Sequence, residues 1–260
     1  MFPRIEIFGQ SIGLFQIMLL CGIFSSGTYV SLTSVKRKYD YADAIIFILL
    51  LYVAAIIGSH LLYVLVNYRT IIFVVGNIDS FNNIPNIFSF IFSGSVFYGG
   101  LLGGIAAGYI LLKRYAGFRK YVDIVVVGIP LFHFFGRIGC FLGGCCFGIV
   151  SRFGFLDTNN PITITNGVPR FPVQLLEAAF NLCLFFFLNH LLNNGKFKDR
   201  LIYVYLTIYA TGRFFIEYLR GDAHRGIWGI FSTSQIISIL IILAILLKHF
   251  IFNKVRTEDI

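Results

Sequence analysis

Residues 122–148 read VDIVVVGIPLFHFFGRIGCFLGGCCFG, an apolar run that ends in an arginine, five glycines and three cysteines. From Val122 to Leu142 it is 21 residues long, and about 20 predominantly apolar residues in a helix are enough to cross a bilayer core of about 30 Å. An ionised side chain inside such a run costs about 2.5–3.5 kcal/mol on insertion scales, so it faces a bundle interior or a wet cavity and is expected to have partners. Arg137 is that side chain, and its presence points to an integral membrane protein with a functional polar interior.

The rest of the chain agrees. Of its 260 residues, 57% are hydrophobic and 13% charged, with a mean hydropathy of +0.82, far from the balance of a soluble globule. Seven runs of suitable length lie at about 12–35, 44–66, 96–112, 122–142, 173–193, 201–219 and 230–252. The expected fold is therefore an all-α integral membrane protein, a single polytopic domain over residues 1–260. The first run is read as a permanent helix, because Lys36-Arg37-Lys38 follows it, whereas a signal peptide carries its charge ahead of the apolar core. The run Ile71 to Gly76 is too short to cross and is read as interfacial.

A formal charge of +9 could suggest nucleic acid, but the basic residues form short clusters between apolar runs, the pattern that sets membrane orientation; no nucleic-acid partner is expected. With the N-terminus outside, thirteen of the 21 Lys and Arg fall in cytoplasmic segments: Lys36, Arg37 and Lys38; Lys113, Arg114, Arg119 and Lys120; Lys196, Lys198 and Arg200; Lys248, Lys254 and Arg256. Six lie outside and two, Arg137 and Arg213, within runs. The positive-inside rule thus favours an outer N-terminus and a cytoplasmic C-terminus. The two outer loops, 67–95 and 143–172, carry turn signals such as Asn159-Asn160-Pro161 and Asn166-Gly167-Val168-Pro169, and are expected to form small caps.

Depth along each helix brings the interior polar groups to one level. Counting 1.5 Å per residue from the cytoplasmic side puts Arg137 at roughly 22 Å, Arg213 at roughly 18 Å, and Glu217 and His60 at roughly 24 Å. Tyr98 and Glu177, near the outer starts of their runs, share that level. Arg213 and Glu217, four residues apart, could be only an intrahelical ion pair, whereas Arg137 has no carboxylate at helical spacing and is read as functional. His60 and His133 read more readily as satisfied interior histidines than as catalytic ones, and Tyr98 equally as an interfacial aromatic. Two guanidinium forks in an outer leaflet suit a phosphate, so a phospholipid headgroup is the natural ligand. The run from Tyr98 to Gly108 holds three overlapping Gly-x-x-x-Gly pairs, which allow close helix packing and, alternatively, close approach of backbone to a headgroup.

Five cysteines, an odd number, give no disulfide framework. Cys140, Cys145 and Cys146 lack two separated Cys-x-x-Cys pairs and histidines at zinc spacing, so no metal is expected; free cysteine behaves as a small hydrophobe, with disulfide, reactive-thiol and metal roles left open.

Gly136-Arg137-Ile138-Gly139 with Gly148 resembles the signature of bacterial prolipoprotein diacylglyceryl transferases, Gly-Arg-x-Gly-Asn-Phe-x-Asn-x-Glu-x-x-Gly. Phe97-Tyr98-Gly99-Gly100-Leu101 is similar to that family's Phe-His-Gly-Gly-Leu, and Pro172-Val173-Gln174-Leu175-Leu176-Glu177 to its Pro-Ser-Gln-Leu-Tyr-Glu. Gly212 to Arg220 resembles its Arg-x-x-x-Glu-x-x-Arg segment, and Ser234-Gln235-Ile236-Ile237-Ser238 its Gly-Gln-x-x-Ser. The resemblance implies transfer of a diacylglyceryl group from phosphatidylglycerol to the lipobox cysteine of a preprolipoprotein, forming a thioether at the outer face of the bacterial plasma membrane, with no cofactor. It further implies that Arg137 and Arg213 hold the phosphate, that Glu217 orients Arg213, and that Gly99, Gly100, Gly136, Gly139 and Gly148 line the headgroup with Glu177, His60, Cys140 and Cys145. The family's histidine is Tyr98 here, its first asparagine Cys140 and its acidic residue Cys145. His133, one turn before Arg137, is the alternative base. A related enzyme with the same donor and another acceptor, or a non-catalytic phospholipid-binding or transport protein, would use the same arginines.

Overall fold

In a computed structural model the described residues are 4–7, 10–69, 72, 96–158, 165–222 and 227–258. Most of the 67–95 loop, including all of the Ile71–Gly76 run but Ile72, and the Asn159-Asn160-Pro161 turn lie outside them.

A short antiparallel hairpin, β1 (Arg4–Ile7) and β2 (Gln10–Gly13), leads into α1 (Leu14–Lys36). There follow α2 (Tyr41–Val66), α3 (Phe97–Arg114), a 3-10 turn (Ala116–Tyr121) and α4 (Val122–Leu142). Then come β3 (Val150–Phe155), α5 (Val173–Asn193), α6 (Leu201–Ile216) with a 3-10 extension (Glu217–Leu219), a second small hairpin of β4 (Ile227–Trp228) and β5 (Phe231–Ser232), and α7 (Thr233–Glu258). Each of the seven apolar runs coincides with one of these helices. Four helical segments are long and apolar enough to cross a membrane: Leu14–Lys36, Tyr41–Val66, Ala116–Leu142 and Val173–Asn193. Of the other three, α6 has 16 residues, the apolar part of α7 is Thr233–Lys248, and α3 is rich in glycine and ends in Lys113-Arg114.

The distribution of side chains is that of a membrane protein. Large apolar residues point outward on α1, α2, α3 and α7, with Phe24 76% and Leu102 63% exposed, while Gln174, Glu177, Asn181, Arg213 and Glu217 are buried. In water this arrangement would forfeit the hydrophobic effect; in lipid it places apolar surface against acyl chains and polar groups against one another.

The chain forms two compact units, residues 34–121 and residues 1–33 with 122–260. In the first, Asp40 caps α2 by accepting from the Ala42 amide at 2.8 Å, and the buried Tyr121 hydroxyl donates to the Asp40 carbonyl at 2.8 Å. Helices α2 and α3 pack with almost no side chain between them. A Cβ added at Gly58 would lie 2.3 Å from the Gly99 carbonyl oxygen, and one at Gly103 would lie 2.4 Å from that of Ala54. The small-residue ladder of α3 thus serves close backbone packing, the helix-packing use of Gly-x-x-x-Gly.

In the second unit α4 packs on α1 and α5, and α6 on α7. The Asp123 carboxylate, in the first turn of α4, accepts from the amides of Asp199 at 2.6 Å and Leu201 at 3.3 Å, so it closes the N-terminus of α6. A reciprocal capping box starts α7. The Ser232 amide donates to Gln235 Oε1 at 2.9 Å, and the Gln235 amide donates to Ser232 Oγ at 3.2 Å. Beyond α4 the loop is fastened on both sides: Ile149 N bonds Leu219 O and Phe171 N bonds Ile149 O, at 3.0 and 2.9 Å. The expected turn at Asn166-Gly167 is present, with Gly167 at φ +74° and its amide donating to the Asp157 carbonyl at 2.8 Å.

Candidate active site

Four helices of the larger unit bring one polar cluster together. Arg137 projects from the last turns of α4, Glu177 from the start of α5, Arg213 and Glu217 from the end of α6, and Ser234 from the first turn of α7. Glu177 is only 3% exposed and bridges both arginines: Oε2 lies 2.5 Å from Arg137 Nε and Oε1 lies 3.1 Å from Arg213 Nη1. Arg213 is held further by Glu217 Oε2 at 2.6 Å and donates through Nη2 to Ser234 Oγ at 3.2 Å. Two permanent cations and two carboxylates thus balance in a buried site, where unpaired charge would be costly.

The two guanidiniums differ in what remains available. Arg213 is committed to protein through both terminal nitrogens. Arg137 is engaged through Nε, and among the described residues neither of its Nη groups makes a hydrogen bond; its side chain is 22% exposed. Beside it there is room, since a Cβ added at Gly136 would meet no atom within 4 Å. An arginine oriented at Nε with its terminal fork unused is suited to a bidentate oxyanion.

His133, one turn earlier on α4, is packed against the Tyr209 ring at a centroid distance of 5.5 Å, and its Nδ1 is buried with no hydrogen-bond partner among the described residues. Gly139 packs against α1, where a Cβ would lie 3.1 Å from Met18 Cβ and Phe15 Cδ2. Gly148 lies where three backbone segments meet, bridged to Arg220, and a Cβ there would stand 2.3 Å from the Phe171 carbonyl oxygen. Tyr98, Gly99, Gly100 and His60 belong to the smaller unit. There Gly99 abuts α2, where its Cβ would fall 2.2 Å from Gly58 O, while the side chain of Tyr98 lies outside the described residues.

Cys140, Cys145 and Cys146 converge just beyond Arg137. Their three Sγ atoms lie within 4.8 Å of one another, and Cys145 Sγ approaches the Cys140 carbonyl at 3.7 Å. Gln174 of α5 holds this loop by donating to the Cys145 carbonyl at 2.8 Å. In the loop beyond α4, hydrogen bonds with Cys140 and Cys145, aided by Arg220 and Arg137, keep the Cys146 thiol well below the ordinary thiol range. The Cys145 thiol is lowered by its bond to Cys140 but is pushed up to about 11 by Cys146 and burial.

Ser234, Gln174 and Tyr209 were not singled out as site residues from the sequence. Signals for the first two were present, because both fall inside the motif segments around Glu177 and Gln235.

Fold and site together define a multi-pass membrane protein that buries an arginine pair on a shared carboxylate and leaves one guanidinium fork open. Residues 4–251 match the family described as prolipoprotein diacylglyceryl transferase, and the chain belongs to that family. It is 33% identical over 251 residues, 95% of each chain, to the phosphatidylglycerol–prolipoprotein diacylglyceryl transferase of Clostridium tetani. It is also 33% identical over 255 residues to transferase 2 of that name from Clostridium perfringens, covering 96% of this chain and 94% of the relative. The Clostridioides difficile protein of the same name is 30% identical over 257 residues, 98% of this chain and 96% of its own.

Proposed function

We propose that this protein transfers the diacylglyceryl group of phosphatidylglycerol to the lipobox cysteine of a preprolipoprotein, from a site facing the outer leaflet of the bacterial plasma membrane. Membership of the transferase family and the names of its relatives support the reaction. The observation that carries the assignment of residues is the open Arg137 fork beside an Arg213 locked by Glu177, Glu217 and Ser234.

In this reading the Nη groups of Arg137 grip the phosphate and Arg213 supplies fixed positive charge behind it. The substrate thiolate attacks the glycerol carbon that bears the phosphate ester, a C–S bond forms, and the C–O bond breaks with its electron pair passing to the phosphate oxygen. Glycerol phosphate departs with one more unit of negative charge than the diester carried. Cations already in place stabilise that growing charge without reorganising. The thiol proton goes to His133 or Tyr98; of these, His133 has the more suitable ordinary pKa. Seven spans with an outer N-terminus would set the lipobox peptide and the donor headgroup on the same side as this cluster. The cysteines at motif positions 140 and 145 favour a second reading, a family enzyme with the same donor and a different acceptor.

Incubation of the purified protein with phosphatidylglycerol and a lipobox peptide should add one diacylglyceryl mass to the peptide. Arg137→Ala and Arg213→Ala should each abolish the adduct, and His133→Asn or Tyr98→Phe should lower the rate by about 10²–10⁴-fold for whichever side chain takes the proton. Glycerol phosphate released without any peptide adduct would favour the second reading. Full activity of Arg137→Ala would overturn the phosphate assignment.

A further inference from the structure

We propose that Cys140, Cys145 and Cys146 form a binding site for a single thiophilic monovalent cation, with Cu(I) as the matching class. Three Sγ atoms already lie within 4.8 Å of one another, so movements of tenths of an ångström would place all three around one ion. The set is sulfur alone: among the described residues no histidine or carboxylate completes a fourth corner. Structural zinc is almost always four-coordinate, whereas soft thiolate sets select Cu(I). All three cysteines are free, and Cys140 is buried.

The backbone is shaped around the cluster. Cys146 adopts φ +56°, a left-handed conformation that is unfavourable for a residue bearing a Cβ and persists only when its surroundings enforce it. Here Gly144, at φ +73°, reverses the chain, Cys145 N bonds the Cys140 carbonyl at 3.1 Å, and Gln174 pins the Cys145 carbonyl. Together these turns fold the loop back so that residues 145 and 146 face residue 140 at the end of α4. The site does not depend on which acceptor the enzyme uses.

The test uses the full-length protein in detergent, reduced and handled without oxygen, titrated with Cu(I) against a colorimetric Cu(I) chelator, with Zn(II) in a parallel arm. Expected are one Cu(I) per chain and three sulfur neighbours by X-ray absorption. Ser substitution at Cys140, Cys145 or Cys146 should weaken binding by at least about 100-fold, since even partners outside the first coordination sphere change metal affinity 10–100-fold. Ser at Cys21 and Cys183 should change nothing. Because the sulfur count is read on the unaltered protein, the test stands even if a Ser variant fails to fold. Undiminished binding in the triple Ser variant, fewer than three sulfur neighbours, a preference for Zn(II), or a disulfide between two of these cysteines in the anaerobic protein would each overturn the proposal.

Discussion

Glu177 gives one oxygen to Arg137 and the other to Arg213, so the spacing of the two guanidiniums depends on a single buried carboxylate. Glu177→Gln keeps the shape but removes the charge, leaving Arg137 without its carboxylate and Arg213 with Glu217 alone. Breaking a buried ion pair from one side typically costs about 3–5 kcal/mol, and misplacing a positioning group by 1 Å can cost about 10²-fold in rate. The expected result is a lower melting temperature in detergent together with at least a hundredfold loss of peptide modification; wild-type values for both would show that Glu177 does not position the arginines. Part of this cluster was legible in the sequence. Arg213 and Glu217 stand at i and i+4, and the structure makes that pair at 2.6 Å. The partner of Arg137 was not, because helical spacing reports only neighbours on the same helix, and Glu177 reaches it from α5 across a tertiary contact.

At the scale of elements, the glycines of α3 separate by the face they occupy. Gly103 lies under α2, 3.1 Å from where a Gly58 Cβ would sit, whereas a Cβ at Gly104 would meet only Ala55 Cβ at 4.0 Å. Gly103→Ala should therefore force the helices apart and destabilise by about 1–3 kcal/mol, as overpacking does. Gly104→Ala, one residue on, should be neutral or stabilising by up to about 1 kcal/mol through helix propensity. Thermal unfolding of the two variants side by side reads the difference, and equal destabilisation would refute the face assignment. The ladder itself was readable from its spacing, but its partner on α2 was not, since Gly58 is a single glycine in an otherwise apolar run. The hairpins at both ends of the larger unit also escaped the periodicity: their strands are at most four residues long, too short for alternation to register.

For the molecule as a whole, orientation rests on charge. The seven spans proposed above would place the termini on opposite sides, and the basic clusters lie before α2, between α3 and α4, between α5 and α6, and after the apolar part of α7. Those segments alternate with the β3 loop and the hairpin before α7, which the same rule assigns to the outside. The alternation makes a joint prediction that a single fusion cannot. Phe153, 91% exposed in β3, and Lys198, exposed between α5 and α6, should fall on opposite sides of the membrane. In intact cells a membrane-impermeant maleimide should label Phe153→Cys above the parent background set by Cys145 and Cys146, and should label Lys198→Cys only after the membrane is opened. A fluorescent protein fused after Ile260 should fold and fluoresce in the cytoplasm. Labelling of Lys198→Cys in closed cells, or of neither site, would reverse the proposed orientation or break the proposed span count; the Arg137–Glu177–Arg213 cluster would then face the wrong leaflet for the proposed lipoprotein acceptor.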